Sequence, residues 1–408
     1  MPGMGIAGAP AVGGRGGAAA AVAVSGGALM MGAYATLSVA PIGPLVQADL
    51  DMSLAGFGLI TTAIFGGAAV ASGVAGHLTD RFGAVRVLAL AMVAVALFEA
   101  FAAVSPVVWL FFIAMFGVGL AYGGITPPTN VIVRGAADGS NQGLLMSAKQ
   151  IGVTLGGLIA GLTLPALAHA LGWRGSLFAP VLGALAIAVL VLLLREGLTR
   201  QTRLPASPDH DSGRIPIRLG WRLGVGAFGF LMAGVQQGFM AYLTLFLVDA
   251  HGYALGVAGI SFAVTMVGGT AGRLGWAVVS DRWFARNRWT GLFITALIAA
   301  IGLIGIALLP TGPWLWPCLV LVGLTSIGWN GVFLALVATS VPASHVGRLS
   351  GWSLRCVFSG VVVVPPLFGL LADRWGWEAA WIFAAVITLV AGAGMLLGAR
   401  GGVNPRAA

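Results

Sequence analysis

The chain has 408 residues, of which 21 are Lys or Arg and 12 are Asp or Glu, so that only 8% are charged, against about 25% in a soluble protein. With 59% apolar residues and 64 glycines, a water-facing surface of ordinary polarity cannot be built, and the chain belongs in lipid. Soluble enzymes, nucleic-acid binders and disordered scaffolds are excluded. The net charge of +9 is the basic excess that a multi-span membrane protein keeps on its cytoplasmic side.

A bilayer core of ~30 Å calls for ~20 helical residues. After a loose Gly/Ala-rich stretch at 1–17, apolar runs of about that length fall at 18–44, 55–78, 85–104, 107–132, 144–168, 173–194, 220–248, 256–279, 290–309, 314–340, 350–371 and 377–399. The first is longer than a signal-peptide core and has no clear cleavage site, so it is expected to be retained. The sequence thus predicts an all-α integral membrane protein with twelve transmembrane helices. The arginines test that count. Connections on one side hold Arg15, Arg81, Arg86, Arg134, Arg195, Arg200, Arg203, Arg214, Arg218, Arg222, Arg282, Arg286, Arg288, Arg348, Arg400 and Arg406; the other side holds only Arg174 and Arg374. Sixteen against two puts both termini in the cytoplasm. Twenty arginines against one lysine, among abundant Ala and Gly, point to a bacterial cytoplasmic membrane, where the chain is expected to work as a monomer.

The longest polar stretch, Arg195 to Arg218, sits near the midpoint with Pro, Ser and both signs of charge, and reads as a linker. The expected organisation is a six-helix bundle at 18–195, a cytoplasmic linker at 196–219, a second bundle at 220–400 and a tail at 401–408. The two halves resemble each other. A shift of 204 residues lays Gly119–Gly124 (GLAYGG) on Gly323–Gly328 (GLTSIG), and Ala170–Phe178 (ALGWRGSLF) on Arg374–Ile382 (RWGWEAAWI); a shift of 201 lays Asp80-Arg81 on Asp281-Arg282. Six helices begin and end on the same side, so the duplication is parallel, about an axis along the membrane normal. Two such pseudo-symmetric bundles enclose a midplane cavity that opens to either face by rocking.

After the second span comes Gly76-His-Leu-Thr-Asp80-Arg81-Phe-Gly83-Ala-Val-Arg86. A carboxylate at a helix end caps backbone N–H groups and pairs with nearby arginines, so this cluster suits a latch. The pattern G-x-x-x-D-R-x-G-x-x-R resembles the loop signature of the major facilitator superfamily. That resemblance implies a transporter of twelve helices in two bundles, with Gly76, Asp80, Arg81, Gly83 and Arg86 gating the cytoplasmic side. The copy in the second half, from Gly272-Arg273 to Asp281-Arg282, has Phe284 where the first half has Gly83, and Asp281 and Arg282 are its gating candidates.

Charges within spans cost ~3 kcal/mol each on some scales, and few occur. Arg273 lies eight residues before Asp281, hence ~12 Å from that helix end, where a guanidinium can hold a carboxylate bidentately. Its spacing resembles the eighth-span arginine of monocarboxylate and oxalate/formate permeases, a branch of the same superfamily, and Arg355 corresponds in type to the eleventh-span cation of the oxalate/formate group. The resemblance has gaps. The aspartate that monocarboxylate permeases carry four residues before the arginine is Gly269 here, and their first-span lysine is missing. The arginine of drug/proton antiporters before the fourth-span Gly117-Val-Gly119 is replaced by Ile113. Lys149 opens the fifth span and either snorkels or faces the cavity.

Uncharged polar residues supply the other substrate-binding candidates: Tyr34, Tyr122, Thr126, Asn130, Gln236, Gln237, Trp329 and Asn330, in the spans that the resemblance places around the pathway. Since Gln236 and Gln237 are ~100° apart on a helix, one of them is expected to face inward. Glu99, the carboxylate within a hydrophobic run, is a candidate proton site. Glycines of the fifth span, Gly152 and Gly156 among them, suit close helix approach, while Pro127-Pro128 and Pro365-Pro366 mark bends.

The function expected is secondary active transport of a small organic, carboxylate-like anion by alternating access, driven by protons or an exchanged solute, because no phosphate-binding loop is present. The alternatives are an exporter of hydrophobic or metabolite-like compounds and, from another class, a transport-inactive membrane sensor. Five scattered histidines make no catalytic cluster, and Cys318 and Cys356 belong to no metal-binding pattern, so no enzyme activity, metal or cofactor is expected.

Overall fold

The computed structural model describes residues 15–137, 142–201, 219–284, 287–310, 312–341 and 343–400. Among these residues the chain is helix and connection with no strand; a helix satisfies its backbone groups within itself, which lipid demands. The elements are α1 (Arg15–Thr36), α2 (Leu54–Phe82), α3 (Ala84–Val104), α4 (Val108–Ala136), α5 (Gln142–Ser176), α6 (Phe178–Leu193), α7 (Leu219–Asp249), α8 (Leu255–Trp283), α9 (Arg288–Leu308) and α10 (Leu315–Thr339). A final run, Ala343–Arg400, turns at Gly376 into α11 (343–375) and α12 (377–400). Ten helices, the final run counted once, are long and apolar enough to span a membrane, and α6 is a shorter apolar helix; with the run counted as two, the twelve expected spans are present. The first residues of the expected linker form a short helix, Arg195–Gln201, while 202–218 and the gating-side Arg286 lie outside the described residues.

The duplication read from sequence reappears in backbone geometry. Gly172 and Gly376, 204 residues apart, have φ of 73° and 82°, a left-handed conformation open to glycine, and each turns the chain back at the end of a long helix. α4 gives way after Gly123 and resumes at Thr126, with Pro127-Pro128 in the first turn of the new segment, where a missing N–H costs nothing. At the equivalent place α10 contains a π-helical turn, Gly323–Ile327. Both interruptions sit where backbones touch: a Cβ on Gly119 would strike the Ile64 carbonyl, and one on Gly323 the Thr265 carbonyl. The copies differ at the motif. Gly83 ends α2 with φ 85°, whereas its counterpart Phe284 has φ −121° and needs no glycine.

Pro365 and Pro366 lie inside α11 without ending it. Lacking an N–H, Pro366 frees the carbonyl of Val362, four residues earlier, and Thr62 of α2 donates its hydroxyl to that oxygen at 2.6 Å. The helix defect therefore becomes a bond between the halves. Large apolar side chains face outward, Leu90 at 68% and Leu193 at 76% exposure, while Trp329, Trp381 and Tyr242 are fully buried.

Candidate functional site

Helices that alternate in direction define two faces. The arginine face carries the connections after α2, α4, α8 and α10; the opposite face carries those after α1, α3, α5, α7, α9 and α11. A set of hydrogen bonds that join the halves lies towards the opposite face. Asp373, near the end of α11, accepts from the backbone N–H groups of Leu54 and Ala55 at 2.9 and 2.8 Å, capping the start of α2 from the other half. Tyr242 of α7 donates its hydroxyl towards the carbonyls of Leu54 (2.7 Å) and Pro365 (3.1 Å), and Thr244 donates to the carbonyl of Ala40. Beneath this seal, a cavity between α2, α7 and the chain after α1 is lined by Leu37, Phe57, Ile60, Ile64, Gln237 and Met240.

In the second half, four of the sequence candidates meet. Gln236 of α7 accepts from Trp329 Nε1 at 3.1 Å and from Asn330 Nδ2 at 3.2 Å. The Ile327 carbonyl, bared by the π-helical turn, receives Asn330 Nδ2 and Arg273 Nε, both at 3.4 Å. Trp329 is held by the rings of Phe228 and Phe333, with centroids 5.6 and 5.2 Å away. Arg273 is half-buried, and Tyr122 of α4 lies within its electrostatic reach across the seam between halves. No carboxylate pairs with Arg273 among the described residues. The arrangement offers a guanidinium, an amide and an indole at mid-membrane depth. Of the two glutamines, Gln237 lines the cavity shared with α2, while Gln236 turns to α10.

The first half forms its own groups. Tyr34 shares a hydrogen bond with Thr163 of α5 at 2.7 Å. Lys149 is 1% exposed and donates to Thr129 Oγ1 at 3.2 Å and to Asn130 Oδ1. It is a buried cation bonded to neutral oxygens, not one snorkelling to a headgroup. Glu99 is 0% exposed, with no hydrogen-bond partner for either oxygen. Arg355 stands apart from Arg273: it is exposed, and its Nε turns to Gly351 of its own helix at 3.4 Å. Thr126 opens the second segment of α4.

The motif residues lie on the arginine face, where they make no bond between halves among the described residues. Asp281 pairs with Arg288 of the same half at 3.0 Å, Arg81 lies over the Phe82 ring, Gly76 and Gly83 have open space around them, and Arg86 and Arg282 are exposed, as is Asp80. Sequence reasoning missed Asp373, Tyr242 and the carbonyl of Ile327. Position 373 falls opposite His169 in the 204-residue repeat, so no shared motif marks it.

A family model described as Major Facilitator Superfamily matches residues 22–361. The gentisate transporter of Corynebacterium glutamicum is 26% identical over 340 residues, covering 79% of this chain and 74% of that protein. The hexuronate transporter of Bacillus subtilis is 23% identical over 365 residues, covering 85% and 86%. A solved bacterial homologue of the human lysosomal transporter Spinster, in an inward-facing and occupied conformation, superposes with a TM-score of 0.80 at 16% identity over 94% of this chain and 98% of that one. That likeness speaks to fold, and it agrees with the twelve helices. The chain belongs to the Major Facilitator Superfamily of membrane transporters.

Proposed function

We propose that this transporter is a secondary active carrier of a small, carboxylate-like organic anion, working by alternating access in a bacterial cytoplasmic membrane with both termini inside. The observation that carries this reading is Arg273: a half-buried guanidinium within the span α8 whose hydrogen-bond partner is a carbonyl and which pairs with no carboxylate among the described residues. An uncompensated cation there is costly, and a bound carboxylate supplies the missing charge with bidentate hydrogen bonds. Asn330, which shares the Ile327 carbonyl with Arg273, its partner Gln236, and Tyr122 supply polar groups that would orient the rest of the ligand. The gentisate and hexuronate transporters, named for organic acids, support the same substrate class.

In this reading the bundles 18–195 and 220–400 rock against each other. The structure is the inward-facing form, sealed by Asp373, Tyr242 and Thr244, and the Asp80 and Asp281 clusters close the cytoplasmic side when the seal opens. Counterflow into proteoliposomes with gentisate, glucuronate and benzoate tests the assignment. Arg273→Ala is expected to cut uptake of whichever acid the wild type carries by at least about thirtyfold, as loss of one partner of a buried charged pair does, while Arg273→Lys retains part of it. Unchanged uptake in Arg273→Ala overturns the anion site. The apolar lining from Phe57, Ile60, Ile64 and Met240 favours a second reading, export of hydrophobic compounds, which predicts cargo uptake indifferent to Arg273.

A further inference from the structure

Glu99 of α3 is the group for which the architecture described so far has no use. It is fully buried, neither carboxyl oxygen has a hydrogen-bond partner, and no cation is paired with it among the described residues. The buried hydroxyl of Ser38 lies beside it, within interacting distance of the carboxyl. A hydroxyl so placed can accept from the acid or donate to the carboxylate after a small rotation. The titratable group facing Glu99 from α1 is Tyr34, whose hydroxyl is already shared with Thr163. Arg174, the cation at the end of α5, turns to Asp49 and to the carbonyl of Ser105.

Ser38 belongs to the few residues where α1 has ended and the chain turns through Ala40–Ile42 towards α2. Its neighbours Thr36, Leu37, Val39 and Ala40 line the central cavity, and the carbonyl of Ala40 receives Thr244 from the other half. The same short segment thus touches the buried acid on one side and the seal on the other. Parting the halves on the opposite face breaks the Thr244 contact and frees this segment, whose Ser38 interacts with Glu99.

We propose that Glu99 is a proton-binding site whose occupancy is tied to the seal: the opposite face closes with Glu99 carrying a proton, and its opening exposes the carboxyl to water, where the proton leaves. An ionised carboxylate without hydrogen bond or counter-ion is strongly disfavoured away from water, so the sealed form requires the acid. The proposal rests on the carrier reading for its meaning in transport and concerns the coupling ion of that cycle, but the linkage itself needs no substrate.

Linkage of one proton to one conformational step changes the ratio of the two forms by at most tenfold per pH unit. The test places a cysteine at Met52, a buried position in the connection between α1 and α2, in a background lacking Cys318 and Cys356, and measures its thiol labelling from the opposite face without substrate. Rates are divided, at each pH, by those of the same protein carrying Glu99→Gln, which cancels the titration of the thiol itself. The expected ratio rises with pH, approaching tenfold per unit, and Glu99→Asp keeps a rising ratio. A ratio flat from pH 5 to 8 in both acid-bearing proteins overturns the proposal. Counterflow of the carboxylate panel by wild type is run alongside: its absence refutes the carrier reading and leaves the labelling slope to be judged separately.

Discussion

The two faces of the molecule hold their halves differently. On the opposite face, a carboxylate caps a helix of the other half, a tyrosine hydroxyl reaches two carbonyls, and a proline-freed carbonyl takes a threonine. On the arginine face, the charged motif turns inward to its own half, as Asp281 does with Arg288. Among the described residues, the recognisable motif makes no bond between the halves, while the bonds that do join them come from residues that carry no motif.

The comparison breaks most completely where the seal is packed tightest. A Cβ on Gly369 would strike the Tyr242 hydroxyl and the Leu54 carbonyl, both part of the seam. Gly369→Leu is expected to disfavour the sealed form by about 1–3 kcal/mol or more through overpacking, at least a fivefold shift in the ratio of forms, read as faster labelling of a cysteine at Met52 from the opposite face. Next comes the cap. Asp373→Ala removes the acceptor of two N–H groups, a loss of ~1 kcal/mol, and shifts the same ratio about fivefold. The matching substitution on the other face, Asp281→Ala, removes a solvent-facing ion pair worth less than ~1 kcal/mol and is expected to move it less than about fivefold. Equal effects from the two aspartates would erase the distinction between the faces.

The smallest effect sharpens the comparison by pH. His251, in the connection after α7, stacks edge-on against Phe246 with centroids 4.6 Å apart, and burial there lowers its pKa from the ordinary value. A group lowered on folding adds stability above its unfolded value of ~6.5, and that stability is lost as pH falls through the lower folded value. Thermal unfolding of the wild type is therefore expected to drop slightly on acidification below about pH 6.5 relative to His251→Asn. An identical pH profile for the two proteins would contradict this effect of burial on His251.

Much of the fold was legible because lipid imposes it. Span length, the arginine count and the 204-residue repeat read out the helices, and the turns at Gly172 and Gly376 fall where the repeat aligns them. The second-half cluster was legible in part: polar residues in lipid must find partners, and Gln236, Trp329, Asn330 and Arg273 found one another. What joined them, the Ile327 carbonyl, depends on a π-helical turn that no residue type announces. Asp373 was hidden for another reason. Its partners lie 318 and 319 residues away in the chain, and a backbone N–H leaves no trace in sequence. Lys149 read more readily as a snorkelling charge until its burial and its bonds to Thr129 and Asn130 were known.

The central claim is that one face opens as the other closes. Spin-label pairs at Asp51 and Trp375, exposed on the opposite face, and at Arg81 and Arg282, exposed on the arginine face, report both separations in one background lacking Cys318 and Cys356. Introducing Gly369→Leu is predicted to lengthen the first distance and shorten the second. Lengthening of both, or a second distance that does not move, would contradict alternating access between these two bundles.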